Sequence, residues 1–525
     1  MLDLLIHNAR IADGSGMPAY FGNVGLRDGK IAVIAPIITE QAREVIEADG
    51  LTLTPGFVDS HSHDDMIMET FPALSHKLEQ GITTQITGMC GHSAAPLSEE
   101  YYQEGCRIMA SLCARGVNND IRTHESYRTY LRSLREDFGT NIGFHVGHGT
   151  VRTAVMGFAQ RKATPQELER MQTLVREAME AGALGISFGM IYTPALFADT
   201  EEMIALCRVA AEYGGDMTIH MRNENDHVVE AVEETLRCVR ETGIRCVISH
   251  HKIGKKANWG KSLQTLPLIE QINREGYTVF LDQYPYIASS TGLSVEIPKS
   301  YLSRPKEELL SLMRSEAGRK ELCEAMCKGR PDEECFRNLM IGGSIAYPQY
   351  SGRMVPEVAK EHGKSCAETV LDILLADDLA SNELSFGMCE EDIERIMAFP
   401  RTMIGTDGLW YPGAVSAHPR AFATFPRVLG HYVRERKVMS FEEAIRRITS
   451  MPAAVYGLKD KGLIREGFDA DLCLLDPDRI TDAADYQHWN TRCPGLKYVF
   501  VGGKIVVEDS VHNGSLMGKK LLRRW

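Results

Sequence analysis

The segment Phe57-Val58-Asp59-Ser60-His61-Ser62-His63 sets two imidazoles two residues apart. Alternate side chains of an extended chain share a face, so His61 and His63 can reach one cation together. A His-x-His pair alone is common on protein surfaces, and its meaning depends on what else arrives beside it. His220 closes the run Asp216-Met217-Thr218-Ile219, and His250 closes Val247-Ile248-Ser249. Asp407 follows Met403-Ile404-Gly405-Thr406, and Cys90 follows Thr87-Gly88-Met89. Each of these groups sits at the C-terminal end of a largely apolar run. Sulfur, nitrogen and oxygen donors brought together suit zinc, a borderline-soft cation.

Something must bring those run ends together. Between residues 56 and 455, short apolar runs alternate with helical stretches such as Thr164 to Ala181 and Thr200 to Tyr213. That alternation predicts parallel βα units. Candidate strands end near His61, Gly88, Val146, Ser187, His220, His250, Asp282 and Thr406. Eight such units close into a (β/α)₈ barrel, whose active site lies at the C-terminal ends of its strands. The chain ends have another rhythm. Residues 1–55 and 456–525 show short strands such as Leu4-Leu5-Ile6 and Tyr498-Val499-Phe500-Val501, with turn signals at Asp13-Gly14, Asp28-Gly29 and Gly502-Gly503. They are expected to pair into one small β-domain. More than a hundred residues, 284 to 401, separate the seventh and eighth strands, which is more than a connecting helix needs. An insertion at about 288–350 is expected to cover the barrel mouth.

Composition limits the partners. The 525 residues carry a net charge of −13, and an acidic surface gives nucleic acid or an anionic membrane little to hold. The basic tail Lys519-Lys520-Leu521-Leu522-Arg523-Arg524-Trp525 reads as a solvated end. No run is apolar enough to span a bilayer, and Met1 to His7 lacks the basic, then apolar, pattern of a secretory leader. The 13 cysteines follow no disulfide framework. A cytoplasmic protein with a small-molecule substrate is the expectation.

Several motifs together resemble the amidohydrolase superfamily, and within it the N-acyl-D-amino-acid deacylase (D-aminoacylase) branch. They include Pro55-Gly56-Phe57-Val58-Asp59-Ser60-His61-Ser62-His63, Gly81-Ile82-Thr83-Thr84, Gly88-Met89-Cys90-Gly91 and Gly147-His148-Gly149-Thr150. Asp282-Gln283-Tyr284-Pro285-Tyr286, His418-Pro419-Arg420 and Gly467-Phe468-Asp469-Ala470-Asp471-Leu472 extend the likeness over nearly the whole chain. Hydantoinase-type relatives use a carboxylated lysine from strand four, and Leu184-Gly185-Ile186-Ser187 offers none. The resemblance implies that Cys90, His220 and His250 hold one zinc ion tightly. It implies that His61, His63 and Asp407 form a second, weaker position, and that the β-domain is a sandwich. A D preference follows from the resemblance alone.

A metal of this kind lowers the pKa of a water and polarises a carbonyl. Asp407 is placed to take the water's proton and to return it to the leaving amine. Tyr192, after strand four, can donate to a developing oxyanion. An N-acyl amino acid presents a free carboxylate, which calls for cations and hydroxyls; Lys252, Tyr284, Ser289 and Arg420 match the family's clamp for it. Relatives that take acidic side chains carry an arginine after strand seven. Here Thr291-Gly292-Leu293-Ser294-Val295-Glu296-Ile297 has no basic residue, so neutral or apolar side chains are expected. The alternatives are a cyclic-amide hydrolase of the hydantoinase type and a non-catalytic scaffold; the missing strand-four lysine opposes the first and the full ligand set opposes the second.

Overall fold

The computed structural model describes residues 1–112, 124–302, 304–410 and 418–523. Its centre is a parallel barrel. The strands are Phe57–Asp59, Ile82–Thr87, Asn141–Gly147, Gly185–Gly189, Asp216–His220, Arg245–Ile248, Val279–Gln283 and Thr402–Ile404, each paired with the next. The last returns to the first: Ser60 N reaches Ile404 O at 3.4 Å, and Asp407 N donates to His61 O at 2.9 Å. All the strand ends expected from the sequence are present. Ile86, Leu184, Val247 and Met403 come from, or directly adjoin, the second, fourth, sixth and eighth strands, and they pack together with Tyr456. A layer built from alternate strands is the standard filling of such a barrel.

The outer helices begin and end where their sequence requires. Helix Pro165–Ala181 has a capping box, with Thr164 accepting from Glu167 N and Glu167 reaching back, and proline in its first turn. It stops at Gly182, whose φ of 111° suits a residue without Cβ. Helix Thr200–Glu212 is capped by the Asp199 side chain, which accepts from Glu202 N. Among the described residues no helix is long and apolar enough to cross a membrane.

The two chain ends join in one nine-stranded sheet, in which Thr52–Pro55 pairs antiparallel with Leu472–Leu475. The sheet curls until the strand Lys30–Ala35 meets the lead-in to Leu472–Leu475, with Lys30 bridging Asp469 and Ile31 N donating to Phe468 O. Leu4, Ile6, Val24, Leu26, Leu53, Leu472 and Phe500 fill the enclosed space. One expectation fails here. The basic tail is not a solvated end. Lys520–Leu521 pairs parallel with the third barrel strand, Arg523 N donates to Gly182 O at 2.9 Å, and the Arg523 guanidinium donates to Leu184 O at 3.0 Å. These residues therefore belong to the barrel rather than to the β-domain, because a free strand edge and buried carbonyls offer their backbone and side chains partners. Arg524 and Trp525 lie outside the described residues.

The insertion is longer than expected. Ser289–Gly292, Asn382–Ser385 and Leu339–Gly343 form a three-stranded antiparallel sheet with Asn382–Ser385 in the middle, so the excursion closes near residue 385 and not near 350. Four helices, Lys306–Arg314, Glu316–Cys327, Val355–Glu361 and Cys366–Ala376, pack with it around Leu309, Leu322, Ile341 and Leu371. The unit has its own core and stands over the barrel mouth, where barrel and insertion together enclose a cavity of about 620 Å³.

The turn after the second strand depends on a glycine. Gly88 has φ +76°, and a Cβ there would lie 2.1 Å from His145 O on the neighbouring strand. Gly88→Ala is expected to destabilise the protein by more than about 2 kcal/mol, from left-handed backbone strain plus the clash. Thermal unfolding measures this; an unchanged Tm contradicts it.

Candidate metal centre and active site

The expected ligands converge on the C-terminal rim of the barrel. Cys90 Sγ lies 3.3 Å from His61 Nε2 and 3.3 Å from His250 Nε2. Asp407 Oδ1 lies 3.1 Å from His63 Nε2 and 3.4 Å from His61 Nε2. All these side chains and His220 are buried. Three of them sit on unusual backbone: φ is +54° at Cys90, +35° at His250 and +46° at Asp407. Left-handed backbone at non-glycine residues costs free energy and gathers at functional sites. The strands end here in sharp turns that aim these side chains inward. The Cys90 turn also packs backbone to backbone, since a Cβ on Gly91 would meet Gly189 N at 2.6 Å.

Two carboxylates that the sequence reading did not assign complete the rim. Asp282, at the end of the seventh strand, accepts from His250 N at 2.7 Å and lies 3.3 Å from His61 Nδ1. A carboxylate behind a ligating imidazole fixes its tautomer and orientation. Glu224 lies 3.2 Å from His220 Nε2 and 3.0 Å from His250 Nδ1, and it accepts from Lys252 Nζ at 2.7 Å. Its only signal in the sequence is its place four residues beyond His220, in the loop after the fifth strand.

Charge explains the protonation states. Burial pushes the Cys90 thiol up, but the imidazoles of His61, His250 and His220 hold it well below the ordinary thiol value. Burial likewise opposes ionisation of Asp407, and Arg420, His250 and His61 outweigh it, leaving the carboxyl well below the usual range. Glu224 behaves in the same way beside His220, Lys252 and His250. Burial disfavours charge on His63 and His220, yet their anionic neighbours raise both to about 9. Burial, with the charges of Cys90 and Asp407, raises the Tyr192 phenol, which therefore stays protonated.

Donor atoms of His61, Cys90, His250 and Asp407 all lie within 4.8 Å of one another, as do those of His220, Glu224 and His250. A thiolate, imidazoles and a carboxylate at this spacing fit zinc. The two groups share His250, which stands between them.

The remaining expected residues line the same cavity. Tyr192 Oη is 3.5 Å from His220 Nδ1. An Arg420 guanidinium nitrogen lies 2.8 Å from Asp407 Oδ2, another donates to Ser290 O, and the group stacks 4.6 Å over the Tyr284 ring. Among the described residues the buried Tyr284 hydroxyl has no hydrogen-bond partner. Ser289 borders the cavity at the start of the insertion sheet. Lys252 is turned toward Glu224 and lies 2.7 Å from His250 Nδ1, so it is less free to meet a ligand than its position suggests.

Known proteins are similar to this chain in sequence and fold. A sequence profile of the amidohydrolase family matches residues 44–323 and 349–507. The chain is 38% identical to D-aminoacylase of Alcaligenes xylosoxydans xylosoxydans, over 99% of this chain and 98% of the relative. A D-aminoacylase crystal structure superposes with a TM-score of 0.83 at 35% identity, covering both chains completely. The N-acyl-D-glutamate deacylase of Bordetella bronchiseptica, solved with zinc and a phosphonate inhibitor that mimics the tetrahedral intermediate, gives 0.83 at 33% identity, over 99% of this chain and 100% of that one.

Glu224→Gln should weaken zinc binding roughly ten- to hundredfold, as the loss of an orienting partner does, because it leaves His220 and His250 without their carboxylate. A zinc titration of metal-free protein reads this, and unchanged affinity would count against a role for Glu224 in the centre.

Proposed function

This chain belongs to the amidohydrolase family, and from that premise we propose that it hydrolyses the amide bond of linear N-acyl-D-amino acids to a carboxylate and a free D-amino acid. The observation that carries the reading is one cavity holding a metal-ligand rim, Asp407 on that rim, and Arg420 with the buried Tyr284 hydroxyl beside it. Cys90, His220 and His250, with His61, His63 and Asp407, are the residues that would hold zinc. When bound, zinc supplies an activated water and polarises the scissile carbonyl.

Asp407 does the proton work. Held ionised by Arg420 and its imidazole neighbours, it is competent to accept a proton from the attacking water. The same carboxyl then returns the proton to the amide nitrogen, which leaves poorly without it. Tyr192, kept protonated by burial, is a donor for the oxyanion that develops on the carbonyl. Arg420 and Tyr284 meet the substrate's α-carboxylate, Ser289 adds a hydroxyl, and Lys252 contributes while remaining paired with Glu224. An Arg420 guanidinium has enough donors to keep Asp407 on one edge and take the carboxylate on the other. Acidic side chains are disfavoured, because the segment 291–297 brings Glu296 and no cation.

A hydantoinase-type reaction is not favoured. The fourth strand, Gly185–Gly189, reads Gly-Ile-Ser-Phe-Gly and has no lysine to carboxylate. A cytoplasmic setting belongs to the reading, supported by described cysteines that are free of disulfides.

Asp407→Asn keeps the shape of the carboxyl and cannot accept the proton. Its kcat should fall at least about a hundredfold, with tightly bound zinc retained; a near-normal kcat contradicts the role. Arg420→Met should lower kcat/KM roughly ten- to hundredfold for every substrate, the worth of one charge-assisted contact. Amidating the substrate's carboxylate should cost the wild type a similar factor and the variant much less. Equal costs in both proteins would remove Arg420 from the clamp.

A further inference from the structure

The cavity above the rim contains two acid groups for which the reaction has no use. Glu383 stands in the central strand of the insertion sheet and is only 3% exposed, and among the described residues its Oε2 has no hydrogen-bond partner. Glu296 follows the first strand of that sheet, in the turn Leu293–Glu296. Both line the cavity. Among the described residues neither carboxyl makes a hydrogen bond or an ion pair. Burial, with the charge of Glu296, pushes the Glu383 carboxyl well above its ordinary range, and burial raises Glu296 against the charges of Lys255 and Arg330.

Their position ties them to the reacting end. Glu383 is the cross-strand partner of Thr291, so the two side chains stand on one face of the sheet, roughly 5 Å apart at Cβ. Thr291 and Tyr192 line the same cavity, and Tyr192 Oη lies 3.5 Å from His220 Nδ1. On the same strand as Thr291, Ser290 O accepts from Arg420. A substrate whose α-carboxylate lies at Arg420 and whose amide lies at the rim therefore has this acidic wall within reach of a long side chain.

Four of the cations along the cavity are committed elsewhere. Arg222 is bound by Glu234 at 3.0 Å, Lys255 by Asp226 at 3.1 Å, Lys252 by Glu224 at 2.7 Å, and Lys306 by Asp378. Two neighbouring acids, Glu383 buried and Glu296 half-buried, with no ion pair among the described residues, form an arrangement that a bound cation would complete, since buried carboxyls are ordinarily hydrogen-bonded or paired.

We propose that Glu296 and Glu383 read the substrate's side chain, and that the side chain they select ends in a cation, an ammonium or guanidinium as in N-acyl-D-lysine or N-acyl-D-arginine. This rests on the deacylase reading above and narrows it, replacing the neutral or apolar preference expected from the absence of basic residues. That expectation counted the missing cation in 291–297 and gave no weight to Glu296; Glu383, far along the chain, joins it only through the pairing of Ser289–Gly292 with Asn382–Ser385.

The test compares kcat/KM for N-acetyl-D-arginine, N-acetyl-D-methionine and N-acetyl-D-glutamate in the zinc-loaded wild type, Glu383→Gln and Glu296→Gln. Both substitutions keep size and remove charge. The wild type should favour D-arginine over D-methionine by about tenfold or more, with D-glutamate slowest. In each variant D-arginine should fall roughly ten- to hundredfold, the span of one charge-assisted contact, while D-methionine changes less than about threefold. A fall common to both substrates would mean that the acids only support the insertion, and would overturn the assignment. Wild-type turnover of D-methionine with no advantage for D-arginine, or with D-glutamate best, would overturn it too while leaving the deacylase reading intact. No turnover of any of the three would overturn both.

Discussion

The Cys90 thiolate, lodged between the imidazoles of His61 and His250, is the contact on which the rest of the rim depends. A buried sulfur anion, with the Asp407 and Glu224 carboxylates close by, is expensive unless cationic charge faces it. Without metal the protein supplies that charge through imidazoles, two of them raised to about 9, and through Arg420 and Lys252. A divalent cation replaces several such protons at once, so binding it is coupled to proton release. The positive φ angles at Cys90, His250 and Asp407 are maintained by the same requirement, because a regular strand end would turn those side chains elsewhere.

Barrel closure makes this convergence achievable. The strands end around one rim, and hydrogen bonds such as Asp407 N to His61 O join the eighth strand's exit to the first strand's. Asp282 then orients two ligands at once, through His250 N and His61 Nδ1. Above the rim, the insertion contributes a second wall with its own core, so the residues that meet the substrate's variable part can differ without disturbing the metal ligands. Ser289, Ser290 and Thr291 form the seam between the two. Ser290 O of that short strand accepts from Arg420, and the strand pairs with the one that carries Glu383.

The sequence made the rim legible because every expected ligand ends, or closely follows, an apolar run, and apolar runs are what a parallel barrel needs. Glu224 escaped because it lies in a loop four residues past its strand, where a carboxylate looks like ordinary solvated charge. Asp282 was legible as a strand end but not as a partner of His61, which precedes it by 221 residues. The closing strand of the insertion, Asn382–Ser385, is four residues long with Leu384 its only apolar residue, too short for its periodicity to announce it. The tail was misread for a related reason: Lys520 and Leu521 pair with Ile142 and Gly143, a contact that no local pattern encodes.

The central claim is that one zinc-dependent rim cuts linear N-acyl-D-amino acids. Its most direct test is hydrolysis of N-acetyl-D-methionine by purified protein, with the L-enantiomer and hydantoin alongside, before chelation, after complete removal of metal, and after zinc is restored. Turnover of the D-substrate should vanish with the metal and return with zinc, while the L-enantiomer and hydantoin stay essentially unhydrolysed throughout. Full turnover by metal-free protein, or faster turnover of hydantoin or the L-enantiomer, would contradict it.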